Sequence, residues 1–176
     1  MTAFDLDTLV AELRAAAAGD GPARAVRKLM TDAFRDPVAI ASAMPEFEND
    51  DEVLFEDDRV SIWFVRFAPG IHVPPHDHRT TATIGVYDGA EINHFYLREP
   101  DRLVHKSTRR VAAGEVIALK PDGIHSVEAA DGKPSLGLHV YLAALTGIER
   151  SLYDWHSGAP VPFTDQAFES MTRRSG

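Results

Sequence analysis

A chain of 176 residues with 44% hydrophobic and 26% charged side chains has the balance of a folded globular domain. Its formal charge of −9, with no basic stripe on which a phosphate backbone could lie, argues against nucleic acid as a partner. It has no cysteine, which excludes disulfides, thiolate metal sites and cysteine nucleophiles, so any metal must be held by His, Asp or Glu.

Met1 opens into "TAFDLDTLVAELRAAAAGDGP", which lacks a positively charged start before a continuous apolar core. No run approaches the ~20 apolar residues of a membrane span, so the expectation is a cytoplasmic protein with no membrane partner. Leu6, Leu9, Val10 and Leu13 recur at helical spacing, with Asp5 or Asp7 as the cap. Val26, Leu29, Met30 and Phe34 repeat the pattern after "GDGP", where Pro22 suits an early helical position. Asp36-Pro37 starts a third, short helix that ends before Pro45.

From Val53 the period changes. The runs "VLFEDDRVSIWFVRFAPG", "TATIGVYDGAEINHFYL", "LVHKSTRRVAAGEVIALKPDG" and "HSVEAADGKPSLGLHVYLAAL" are rich in strand formers. They are punctuated by Pro69-Gly70, Asp88-Gly89, Asp122-Gly123 and Asp131-Gly132. The expected organisation is one domain over 1–176: a helical lead-in over 1–45, a β-barrel or sandwich over 53–145, and a less regular tail over 146–176. In the tail, Trp155 and Phe163 are expected to cover a barrel face. Nothing in the strand pattern identifies an edge for self-association.

His76 and His78 stand two apart, so on a strand both side chains leave the same face and can share an ion. A third ligand must come from elsewhere, and His125 in "PDGIHSVE" follows a turn and opens another strand. His72 precedes the pair as a candidate supporting residue, while His94, His105 and His156 read as ordinary surface or core histidines. In "SLGLHVYLAAL", Gly137, His139 and Tyr141 share one strand face and Leu136, Leu138 and Val140 the other. A hairpin at Asp131-Gly132 would set His139 opposite His125 and bring Tyr141 near the metal.

The spacing of Gly70, His76, His78 and Gly89, followed by Gly114, Pro121, Gly123 and His125, resembles the two motifs of the cupin superfamily. That resemblance implies a mainly β fold, the cupin double-stranded β-helix or jelly-roll barrel, with an N-terminal helical segment. Ala82 stands where the cupin motif has its Glu, which leaves three neutral imidazoles and an ion that keeps its full charge. Such a site suits an anionic donor beside a small gas molecule.

"HDH" at 76–78, "GIHSVEA" at 123–129 and "GLHVY" at 137–141 narrow the resemblance to cysteine dioxygenase and related thiol dioxygenases, as does the lead-in "RDPVAIASAMPEF". It implies an iron(II) enzyme that converts a small, carboxylated thiol and O2 to a sulfinate. His76, His78 and His125 would hold the metal, Tyr141 would donate a hydrogen bond at the reacting atoms, and His139 would orient Tyr141.

The chain departs from that family at Gly137, where the family has Ser (Ser135 lies two residues away), and at Thr83, which matches the Cys that animal enzymes link to Tyr. The family's carboxylate-binding Arg has no match in "VLFEDD", so Arg59, Arg66 and Arg79 are the candidates for that contact. Imidazoles also take nickel, copper or zinc. The alternatives are a three-His cupin acting on a carbon substrate, as a dicarbonyl-cleaving dioxygenase or an isomerase, and a non-enzymatic small-molecule-binding cupin.

Overall fold

The computed structural model describes residues 4–175. Three helices come first, each beginning where the backbone finds a cap or a turn. Asp5 accepts the Thr8 N–H at 2.8 Å to open α1 (Leu6–Ala18). Gly21, at φ 61°, turns the chain through the left-handed region into α2 (Pro22–Ala33). Asp36 accepts the Ala39 N–H at 3.0 Å to open α3 (Pro37–Ala43). Helical spacing gathers Leu9, Leu13, Val26, Met30, Phe34 and Ile40 into one buried cluster with Ile62, Phe64, Leu138 and Val140 of the strands behind them. No described helix is long and apolar enough to cross a membrane.

The strands follow as β1 (Asp51–Glu56), β2 (Ser61–Phe67), β3 (Ile71–His76), β4 (Ala82–Asp88), β5 (Ala90–Glu99) and β6 (Arg102–Ala112). Then come β7 (Val116–Leu119), β8 (Ile124–Ala129) and β9 (Ser135–Tyr141), with the shorter β10 (Ser151–Tyr153), β11 (Pro160–Pro162) and β12 (Arg173–Arg174) in the tail. One sheet runs β1-β2-β9-β4-β7 and the other β11-β10-β3-β8-β5-β6, with β12 added to β3. The interleaved cores β2-β9-β4-β7 and β3-β8-β5-β6 are the two four-stranded layers of an eight-stranded jelly roll, the double-stranded β-helix.

Two consequences follow for the site. The alternation of β2 and β9 sends Ile62, Phe64, Leu138 and Val140 outward to the helices, and Trp63, Val65, His139 and Tyr141 inward. The second consequence corrects the expected hairpin. Asp131 and Gly132 do form a tight turn, at φ 58° and 66°, closed by Lys133 N–H to the Ala130 carbonyl at 3.2 Å. Its flanking strands nevertheless part into different sheets, β8 between β3 and β5 and β9 between β2 and β4. His139 is therefore level with Trp63 and Ile84, and it meets His125 across the barrel interior rather than along a ladder.

The tail is more regular than its sequence suggests. β10 extends the second sheet along β3, β11 pairs with β10, and helix α4 (Asp165–Met171), capped by Thr164, leads into β12. Strands of two or three residues are too short to carry a readable period.

At the seam between helices and barrel, Gly85 lies close beneath Phe34: an added Cβ would stand 2.6 to 2.9 Å from three of its ring carbons. Gly85→Ala is expected to destabilise the protein by about 1–3 kcal/mol through overpacking, read as a lower urea midpoint with an unchanged slope. An unchanged midpoint would contradict this packing.

Candidate metal centre

β3 and β8 are neighbours, and their register sets His76 directly opposite His125 with both rings turned into the barrel. β3 ends at His76, and the chain past it carries His78 back inward, so that His78 Nε2 lies 3.0 Å from His125 Nε2. One ligating atom from each of His76, His78 and His125 falls within 4.8 Å of the others, and all three residues are buried. The group can hold a divalent metal.

Two of the rings have their tautomer assigned by what their second nitrogen touches. His76 Nδ1–H donates to the Pro74 carbonyl at 2.9 Å, and His125 Nδ1–H donates to Asn93 Oδ1 at 2.8 Å. Each leaves an Nε2 lone pair aimed into the barrel, the form a metal requires. Asn93 is held in turn by Glu91, whose Oε1 accepts the amide N–H at 2.9 Å.

The spacing fits an ion, because two nitrogens each ~2.1 Å from a cation and at right angles about it stand ~3.0 Å apart. Burial pushes His76 down to about 4 and holds His78 and His125 well below their ordinary values, with neighbouring imidazoles adding to the effect at His78 and His125 alone. All three are neutral at neutral pH and free of competing protons.

No carboxylate joins this set among the described residues. Asp77, between the two ligands in sequence, is buried but faces the tail. It accepts from the Tyr153 hydroxyl at 2.6 Å and the Ser151 N–H at 3.0 Å, and pairs with Arg79 at 2.8 Å. Ala82 is buried at the position where the cupin motif has Glu.

The three histidines line a cavity of about 320 Å³ whose other walls include Trp63, Val73, Val127, Phe163 and Phe168. His139 and Tyr141 face it from β9, with His139 Nδ1 and the Tyr141 hydroxyl 3.1 Å apart. Burial lowers His139 to about 3 and raises Tyr141 above its usual range, so the pair is a neutral imidazole beside a phenol that keeps its proton. The Tyr141 ring lies 5.0 Å from that of His78.

The departures from the thiol dioxygenase pattern have physical explanations. A Cβ at Gly137 would come 2.6 Å from the Gly85 carbonyl oxygen, so the family's Ser has no room there. Ser135 does not stand in for it, since its buried hydroxyl has no hydrogen-bond partner. On β4 the residue level with Tyr141 is Ala82, while Thr83 is level with Val140 and shares its face.

The arginines divide. Arg59 sits in the turn between β1 and β2 and does not line the cavity. Arg79 also stays outside it, held by Asp77 and by Ser151 at 3.3 Å. Arg66 reaches the rim but is engaged by Asp50 at 2.7 Å.

Two arginines absent from the sequence expectations also line the cavity: Arg174, which Glu169 engages at 2.6 Å, and Arg150. Arg150 immediately precedes β10, its guanidinium lies 4.0 Å over the Phe163 ring, and its charge acts on His76, His78 and Tyr141. Nothing local in "GIERSLYDW" marks it. The only signal would have been that β10 returns to β3 beside the first ligand.

No family model matches the sequence, and no curated protein matches it. Solved structures similar to this chain include an uncharacterised conserved protein with a double-stranded β-helix domain from Klebsiella pneumoniae subsp. pneumoniae MGH 78578. It is 16% identical, with a TM-score of 0.49 over 64% of this chain and 92% of that one. A cupin superfamily protein from Desulfitobacterium hafniense DCB-2 is 19% identical, with a TM-score of 0.47 over 59% of this chain and 87% of that one. An oxalate oxidase in complex with the substrate analogue glycolate is 23% identical, with a TM-score of 0.43 over 56% and 54% of the two chains. At these scores the likeness carries no functional argument, and the fold rests on the strand order above.

Glu91 offers a test of the support behind His125. Burial raises its carboxyl to about 7, so its contribution to stability is present below about 4.5 and is lost as pH rises through 7. Glu91→Gln keeps an acceptor for Asn93 and removes the ionisation. In urea unfolding of metal-free protein the variant is expected to gain up to about 3 kcal/mol over wild type at pH 8 and nothing at pH 4.5. A constant difference across that range would contradict the assignment.

Proposed function

We propose that this protein is an iron(II)-dependent thiol dioxygenase that converts a small carboxylated thiol and O2 to the corresponding sulfinate. The observation that carries the reading is the presence, in one cavity, of three imidazoles clustered with no carboxylate among them and of the partly buried Arg150. A site of three imidazoles leaves a divalent ion its full charge, which favours an anionic sulfur donor. Iron held by His76, His78 and His125 would supply the redox chemistry by which both atoms of O2 are added to sulfur, with no further reductant.

The chain's own groups do the rest. Arg150 presents its guanidinium to the substrate carboxylate, the fork geometry that suits such a partner, while the Phe163 ring 4.0 Å from its Cζ supports it. Trp63, Val73, Val127 and Phe163 exclude water from the space between the two anchoring points. Tyr141, kept protonated by burial, donates a hydrogen bond into the cavity, and His139 holds the phenol in position. Arg150 takes the substrate-binding part for which Arg59, Arg66 and Arg79 were the sequence candidates.

The test is O2 uptake by iron(II)-loaded protein with 3-mercaptopropionate, cysteine, mercaptosuccinate and cysteamine, with mass detection of the sulfinate. Uptake is expected with a carboxylated thiol and not with cysteamine. Arg150→Ala is expected to lower kcat/KM for that thiol by about 100-fold, the scale of a lost charged hydrogen bond of about 2–3 kcal/mol. Inactivity toward every thiol, with turnover of an enolisable dicarbonyl, would overturn the proposal in favour of a carbon substrate.

A further inference from the structure

The histidines divide between two faces of one sheet. His76 and His125 point into the barrel, whereas His72 and His94 stand on its outer face. The alternation that turns His125 and Val127 inward turns Ser126 and Glu128 outward. In the register, His72 lies directly opposite Glu128 across β3 and β8, and His94 lies opposite Ser126 across β5 and β8. Three neighbouring strands thereby bring two imidazoles and a carboxylate together, with one ligating atom of each within 4.8 Å of the others.

We propose that His72, His94 and Glu128 form a second metal site, on the outer face of the barrel, which takes a late first-row divalent cation of the zinc class. Two imidazoles and one carboxylate are a donor set suited to such ions, with coordination positions left open on the solvent side. It differs from the inner group in carrying an anion, so the two sites have different preferences.

The surroundings hold the donors in place. His94 Nε2 already meets Glu128 Oε1 at 2.9 Å, and its Nδ1 lies 3.1 Å from Thr108 Oγ1. Thr108 Oγ1 also meets His105 Nε2 at 2.8 Å, so an Nδ1–H of His94 has an acceptor there when Nε2 turns its lone pair to an ion. His72 Nε2 is bonded to Ser126 Oγ at 2.8 Å, and that oxygen meets the Tyr96 hydroxyl at 3.0 Å.

Trp155 packs edge-on against the His72 ring at 4.9 Å, its Nε1–H donating to the Met171 carbonyl at 2.8 Å, so the tail shields one side of the cluster. The three ligating residues are half-buried, accessible to an ion and partly screened from bulk water.

The site is independent of the thiol chemistry and is tested without it. Zinc(II) is titrated into the full-length His76→Ala, His125→Ala double variant against a fluorescent chelator, with the inner group disabled. One zinc per chain, with micromolar or tighter affinity, is expected, and at least tenfold weaker binding once His94→Ala or Glu128→Gln is added.

Should the double variant fail to fold, wild type carries the same test: two zinc ions per chain, falling to one with His94→Ala. Less than 0.1 zinc per chain in the double variant at 100 μM free zinc would overturn the proposal, as would binding that His94→Ala and Glu128→Gln leave unaltered.

Discussion

The register of β3 against β8 governs the rest of the molecule's chemistry. It places His76 and His125 side by side on the inner face of one sheet, and the barrel around them removes both rings from water. A buried imidazole loses most of the solvation that would stabilise its charged form, so burial itself keeps these groups in the state that can donate a lone pair. The Pro74 carbonyl and the Asn93 amide then select which nitrogen does so. Backbone geometry and desolvation alone thus leave these imidazoles in a form that could hold a divalent ion.

The tail is coupled to that arrangement. Asp77, between His76 and His78, is tied to β10 through the Tyr153 hydroxyl, and its own backbone N–H donates to the Ser151 carbonyl at 3.1 Å. The segment that fixes the ligand-bearing loop therefore also delivers Arg150 and Phe163 to the cavity. Asp77's negative charge is used on the tail side, which leaves the inner group without an anion. The closing segment acts on both the shape and the charge of the site.

How much of this was legible from residues depended on how local the signal was. Asp5 and Asp36 announced helix starts because a cap acts over three residues, and the His76–His78 pair was visible because both ligands sit within one short segment. The alternation of Gly137, His139 and Tyr141 against Leu138 and Val140 was equally local. The turn at Asp131-Gly132 was legible too, but whether its flanking strands pair depends on which other strands compete for them, and here β3, β5, β2 and β4 do. Arg150 was hidden for the same reason, since strands of three residues become recognisable only once paired with β3. The outer group of His72, His94 and Glu128 draws on three strands and had no local mark at all.

The measurement that tests the central claim most directly is X-ray absorption spectroscopy of the iron(II)-loaded protein, recorded before and after anaerobic addition of 3-mercaptopropionate. The account predicts scattering from three imidazole rings with no protein carboxylate, and a sulfur shell that appears with the thiol. A first shell with fewer imidazoles, or one that gains no sulfur, would contradict it.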